Sequence, residues 1–167
     1  LMSGDRAEFV AALAHPLPGE TIFRFIGFPE ADDQQLKDWT TNRLAFTWGE
    51  ASDEEQIDIA HKVLAYWRYC AAFVAARYDA PADDFASELL AAHIADPVDL
   101  GYNEIRSVIY GLSFAGHEIV SNLLSNGLIN LLSTPGLWAK ICRDPSLIPN
   151  AVEEILRFNS PQTSWRR

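Results

Sequence analysis

Apolar residues return every third or fourth position along most of this chain, the period of an α-helix rather than a strand. The longest such run predicts a helix from Tyr102 to Ser133. Ile105, Val108, Ile109 and Leu112 carry its first part, and Leu123, Leu124, Leu128, Ile129, Leu131 and Leu132 its second. At ~1.5 Å per residue it spans roughly 45 Å, the width of a domain. The second part is apolar nearly all round, which predicts a buried helix. Its centre breaks the pattern with Ser113-Phe114-Ala115-Gly116-His117-Glu118-Ile119-Val120. A helical Gly costs about 1 kcal/mol relative to Ala. Ala and Gly together remove bulk, so that a partner can approach the backbone, and an acid stands beside the gap.

The other segments also read as helices. Ser3 to Ala14 has Phe9, Val10 and Leu13 on one face, and Pro16 and Pro18 are expected to end it. Thr21 to Gly27 is short and apolar, and periodicity leaves a strand open there. Asp32 or Asp33 caps a helix to about Phe46, closed by Gly49. Ser52-Asp53-Glu54-Glu55 is a capping box that opens a helix to about Tyr78. Ile57, Val63, Leu64, Trp67, Cys70, Phe73 and Val74 are its expected interior. A helix follows from about Asp84 to His93, then a loop broken at Asp96-Pro97. Thr134-Pro135 is expected to cap a helix to Cys142, and Asp144-Pro145 separates it from a last helix ending near Phe158.

That last helix reads Asn150-Ala151-Val152-Glu153-Glu154-Ile155-Leu156-Arg157-Phe158. Glu154 and Arg157 lie one turn apart, and taken alone they make an exposed pair of small worth. Together with the Ala115-Gly116-His117-Glu118 patch, the chain resembles the bacterial cytochrome P-450 family of haem-thiolate monooxygenases. The patch resembles the oxygen-binding groove of that family's long central helix, and Glu154 with Arg157 its Glu-x-x-Arg helix. The likeness covers essentially the whole sequence. It implies a mainly α fold, the central portion of the cytochrome P-450 haem domain. Residues Ala65 to Cys70, Tyr110 to Glu118 and Ser164 to Arg167 are most similar to the self-sufficient members, which carry a fused flavin and iron–sulfur reductase.

The resemblance assigns roles residue by residue. Ala115 and Gly116 lie against haem b, leaving space for O2. Glu118 relays protons, and burial tends to raise a carboxyl pKa in the direction a relay requires. Phe114, Ile119, Gln162 and Thr163 border the substrate. Arg166 binds a haem propionate, with Arg167 as the alternate. Glu154 and Arg157 form a buried structural network. Residue 119 departs from the family, which usually places a hydroxyl there; Ile119 cannot hydrogen-bond oxygen. The helices of 33–46 and 53–78 resemble a mobile lid over the substrate channel. Expected partners are a small organic substrate, O2 and a redox partner, either a ferredoxin or a fused reductase carrying FMN and a 2Fe-2S cluster, fed by NAD(P)H.

Composition narrows the alternatives. A net charge of −10 disfavours nucleic acid as a partner. The charge is uneven: after Trp138, five basic residues (Lys140, Arg143, Arg157, Arg166, Arg167) stand against three acids. No apolar run is clean enough to span a bilayer, because His117 and Glu118 interrupt the longest. Cys70 and Cys142 lie far apart, so no disulfide framework is indicated and a reducing cytoplasm is the default. Neither has a haem-ligand loop around it, and both are expected to be packed thiols. The first residue is Leu and the last stretch stops in strand-like text. Both features suggest an internal segment; the resemblance implies that it ends before the family's Cys-containing haem loop, and without that Cys it is expected to be inactive alone. His-Glu-x-x-His fails as a zinc motif because Ser121 takes its last place. His15, His61 and His93 are expected at the surface or at caps. The rival readings are an inactive helical fragment and an all-α binding or scaffold module without haem.

Overall fold

Seven α-helices carry the architecture of the computed structural model, which describes residues 2–3, 6–40 and 49–162. They are α1 (Pro16–Ile26), α2 (Asp33–Thr40), α3 (Asp53–Asp79), α4 (Phe85–Ala95), α5 (Tyr102–Ser133), α6 (Leu137–Arg143) and α7 (Ile148–Phe158). Two strands, β1 (Met2–Ser3) and β2 (Arg6–Ala7), pair antiparallel with Met2 opposite Ala7. The chain divides into two compact units, one of Gly19–Ala115 and one of Leu1–Pro18 with Gly116–Arg167.

In the unit Gly19–Ala115 the core is built from several helices at once. Phe23 and Ile26 of α1, Leu36 of α2, Tyr66, Cys70, Phe73 and Val74 of α3, Ala86 and Leu90 of α4, and Ile105 and Ile109 of α5 are all buried together with Phe28. Phe28 sets its ring edge-on to those of Tyr69 and Phe73, at 5.3 and 4.7 Å. The capping box starts α3 as expected: Ser52 Oγ accepts from Glu55 N at 3.3 Å, and Glu55 Oε2 accepts from Ser52 N at 2.8 Å. The expected interior of α3 is partly corrected. Ile57 and Leu64 are exposed, whereas Ile59 and Tyr66 are buried. Apolar residues surround this helix, so the neighbouring helices decide which stripe is covered.

Several expected boundaries also differ. Pro16 and Pro18 open α1 rather than ending a helix. A proline in the first turn lacks only an N–H that no helix bond would use, so it suits a start as well as a stop. Before it stand the hairpin and a π-helical turn, Val10–Ala14. The stretch of 21–27 is helical up to Gly27, which removes the strand alternative. α2 is described to Thr40; its expected extension to Phe46 lies outside the described residues. Thr134 does not cap α6. Its Oγ1 donates back to Asn130 O at 3.1 Å, and Gly136 with φ +75° stands at the start of α6.

Candidate active site

α5 begins and ends where the hydrophobic pattern places it. Its buried side is one row with a period of four: Ile105, Ile109, Ser113, His117 and Ser121. Residues four apart lie on one helical face, and three members of this row are polar. Their polar atoms are satisfied locally. Tyr66 Oη donates to Ser113 Oγ at 2.5 Å, Ser113 Oγ donates to Tyr110 O at 3.0 Å, and Ser121 Oγ donates to His117 O at 2.9 Å. The second half of α5 is not buried all round, contrary to the expectation: Ile129 and Leu132 are about 60% exposed.

The patch occupies the remaining faces. Ala115 is exposed, Gly116, Glu118 and Ile119 are half-buried, and Phe114 is partly buried against the core of its unit. Ala115 and Ile119 are four apart and share a face, with Glu118 on the adjoining strip. The result is a shallow, apolar stretch of helix with a carboxylate at its margin. Burial raises the Glu118 pKa above the usual carboxyl range, and the nearby His15 pulls it partly back.

His117 is a part of this region that the apolar pattern does not reveal. It is buried, and its Nε2 donates to His15 O at 3.1 Å. The two imidazoles meet edge-on at 4.9 Å. His15 itself is exposed and closes the π-helical turn, where its N–H bonds Val10 O at 2.8 Å. The cue available in the sequence was spacing: His117 follows Ile109 and Ser113 at intervals of four.

The other expected site residues fall elsewhere or outside view. Arg157 Nε and Nη2 donate to the two Glu154 oxygens at 2.7 and 2.6 Å, a bidentate pair. Its side chains are 68% and 60% exposed, not buried as the resemblance implied. Each partner shifts the other towards its charged form, lowering Glu154 and raising Arg157. Gln162 is exposed, and Thr163, Arg166 and Arg167 lie outside the described residues. α7 packs close to α5 at Gly127, where an added Cβ would stand 3.2 Å from Ile155 Cδ1. Among the described residues, no three metal-ligating side chains gather, and no helix is long and apolar enough to cross a membrane.

The two thiols differ. Cys70 is buried, and burial pushes its pKa up to about 12. Cys142 is exposed, against the expectation that both are packed. A maleimide at neutral pH should therefore label Cys142 and leave Cys70 untouched until the protein is denatured, as peptide mass mapping would show.

Comparison with known proteins settles the architecture. No family model matches the chain. A cytochrome P450, CYP107DY1 of Priestia megaterium, is 34% identical over 155 residues, 92% of this chain and 37% of its own length. The steroid C26-monooxygenase of Mycobacterium tuberculosis is 33% identical over 155 residues, covering 92% of this chain and 41% of that protein. The solved structure of cytochrome P450 CREJ in complex with (4-ethylphenyl) dihydrogen phosphate superposes with a TM-score of 0.84 at 38% identity, over 92% of this chain and 38% of that one. The chain has the fold of the central helical part of a cytochrome P450. It spans about two fifths of the length of the P450 relatives it matches. These relatives are bacterial, as the sequence suggested.

The residues can be tested against the haem that a P450 fold implies. Ala115 is exposed and Gly116 has no side chain, so this part of α5 can meet a flat, apolar macrocycle without displacing any side chain of its own. The thiols do not fit an axial role. Cys70 is enclosed in the core with its proton held tightly, and Cys142 is on α6.

Proposed function

We propose that this chain is the oxygen-groove segment of a haem-dependent monooxygenase. The enzyme inserts one atom of O2 into a small organic substrate with electrons derived from NAD(P)H. The observation that carries this reading is the coincidence of Ala115, Gly116 and a half-buried Glu118 of raised pKa on the long helix of a P450 fold. The P450 relatives support it over a scaffold without haem.

Haem b would supply the iron at which dioxygen binds and is reduced. Everything else falls to side chains. Ala115 and Gly116 keep the helix low enough to leave a small space. Glu118, held half out of water, takes protons from solvent and passes them towards that space. Phe114 and Ile119 give substrate an apolar wall, with Gln162 and Thr163 at its edge. Arg166 pairs with a carboxylate of the cofactor, a charge-assisted bond of the strong kind. Glu154 and Arg157 form an exposed pair one turn apart on α7 that adds a little to the stability of that helix. The redox partner is a ferredoxin, or a fused flavin and iron–sulfur reductase as the text of 65–70 suggests.

Isotopically labelled dioxygen tests the reaction class. With a redox partner and NAD(P)H, the full-length protein should place one labelled oxygen atom in the product. Incorporation of oxygen from water alone, or none, would remove the monooxygenase reading.

A further inference from the structure

Away from the patch, the unit Gly19–Ala115 holds a surface pocket with a different chemistry. It is an open surface pocket of about 330 Å³, lined by Ala75, Tyr78, Asp79, His93 and Tyr102. The rings of Tyr78 and Tyr102 stand 5.8 Å apart at 88°, two perpendicular aromatic walls. The His93 ring lies 6.0 Å from that of Tyr102, inclined by 53°, and adds a third wall. His93 Nδ1 is 2.7 Å from Leu100 O. A carbonyl oxygen only accepts, so Nδ1 carries a proton and donates it, which fixes the orientation of the ring. Asp79 contributes a carboxylate from the last position of α3.

Each of these features favours positive charge. Aromatic faces attract cations through their quadrupole. Asp79 ends α3 and His93 lies in the last turn of α4, so two helix C-termini present their negative ends here, against the single N-terminus of α5 at Tyr102. A metal ion would find one carboxylate and one imidazole here, and the described residues gather no group of three His, Cys, Asp or Glu side chains. A neutral ligand would leave the charge of the carboxylate unbalanced. The protein's net charge of −10 further enriches cations near its surface.

We propose that this pocket binds a small methylated ammonium ion, or the quaternary ammonium head of a larger molecule. The rings contact the methyl groups, and Asp79 balances the charge without a direct hydrogen bond. The site is separate from the Ala115–Gly116 patch and does not depend on the haem reading.

Titration of the purified protein with tetramethylammonium, followed by NMR, tests this directly. The ring signals of Tyr78, Tyr102 and His93 should shift together and saturate. The neutral tert-butanol, of similar shape, should bind more weakly by about two- to fivefold or more. Tyr78→Leu keeps apolar bulk but removes the aromatic face, and Asp79→Asn removes the charge. Both positions are exposed, so the amide spectrum should otherwise be unchanged, and each variant should weaken binding two- to fivefold by about the same reasoning. Scattered shifts that do not saturate would overturn the proposal. So would equal binding of tert-butanol, indifference to both substitutions, or zinc ion binding the same residues when tetramethylammonium does not.

Discussion

Replacing Ile119 with Thr should raise the product formed per NAD(P)H consumed, and replacing Glu118 with Gln should lower turnover by roughly 100-fold, the lower end for general acid–base groups. Both expectations come from the same turn of α5. Ile119 offers apolar bulk on the face it shares with Ala115, where the resemblance implies a hydroxyl. A donor aimed at developing oxygen charge is worth about 100- to 1000-fold in other enzymes. On the proposed reading, Glu118 would then deliver protons through ordered water or with help from substrate. We therefore expect the wild-type protein to release part of its reducing power as hydrogen peroxide. The Thr variant should recover several-fold of that loss, by about the same reasoning.

Stability separates the two substitutions from simple damage. The folded-state pKa of Glu118 is raised by burial, so its charged form is disfavoured in the folded protein. The fold then loses stability as pH rises through that pKa, and gains it as pH falls. Glu118→Gln should be at least as stable as wild type at neutral pH while turning over more slowly. Product, peroxide and Tm measured together in the three proteins give the answer. A wild type that is already tightly coupled, with a Thr variant no better, would place Ile119 away from the reacting oxygen.

Gly27→Ala should destabilise the unit Gly19–Ala115 by about 3–5 kcal/mol, and Asp84→Ala by about 3 kcal/mol, from loss of a buried ion pair and a helix cap. Gly27 follows α1 with φ +103°, a conformation that costs other residues about 1–2 kcal/mol. Its Cα faces Asp84 so closely that an added Cβ would overlap that carboxyl group. The Asp84 side chain is only 5% exposed and holds several groups at once. Its Oδ1 caps α4 by accepting from Ser87 N at 2.9 Å, and its Oδ2 accepts from Arg77 Nε at 2.5 Å. Arg77 Nη2 donates in turn to Gly27 O at 3.0 Å. Arg77 of α3 and the N-cap of α4 are thereby tied to the end of α1.

The same junction sets a pH dependence. Burial alone would raise the Asp84 pKa, but the hydrogen bonds from Ser87 and the Arg77 charge outweigh it and hold the carboxyl below its usual range. A folded pKa below the unfolded one means stability that is complete above the unfolded value, about 3.9 for Asp, and lost as pH falls through the folded value. Acid unfolding of wild type should therefore show a loss below about pH 4 that Asp84→Asn does not share. Chemical denaturation at pH 7 and pH 3 measures both effects.

The contrast between α5 and its surroundings shows what the sequence made legible. Its bounds, the capping box of α3 and the Ala115-Gly116 patch follow from short-range rules, in which each residue acts through its own helix. The buried row Ser113, His117, Ser121 does not, because polar side chains carry no hydrophobic signal and their burial depends on partners such as Tyr66 and His15. The covered stripe of α3 was misplaced for a related reason: Ile57 and Ile59 are equally apolar, and only the packing of α1, α2 and α4 separates them. Pro16 and Pro18 are ambiguous by themselves, since proline suits a helix start as well as its end. The pairing of Glu154 with Arg157 was readable from spacing; its exposure was not, because exposure depends on what packs over α7.

The carbon monoxide difference spectrum of the reduced, full-length protein, recorded for wild type and Gly116→Phe, tests the haem reading most directly. If Ala115 and Gly116 lie against haem, wild type should show the red-shifted Soret band of thiolate-ligated iron. Gly116→Phe should retain haem yet lose that band, because the new ring fills the space the gas would occupy. A wild type without the band, or a Phe variant that binds carbon monoxide as readily as wild type, would contradict the placement of this helix over haem.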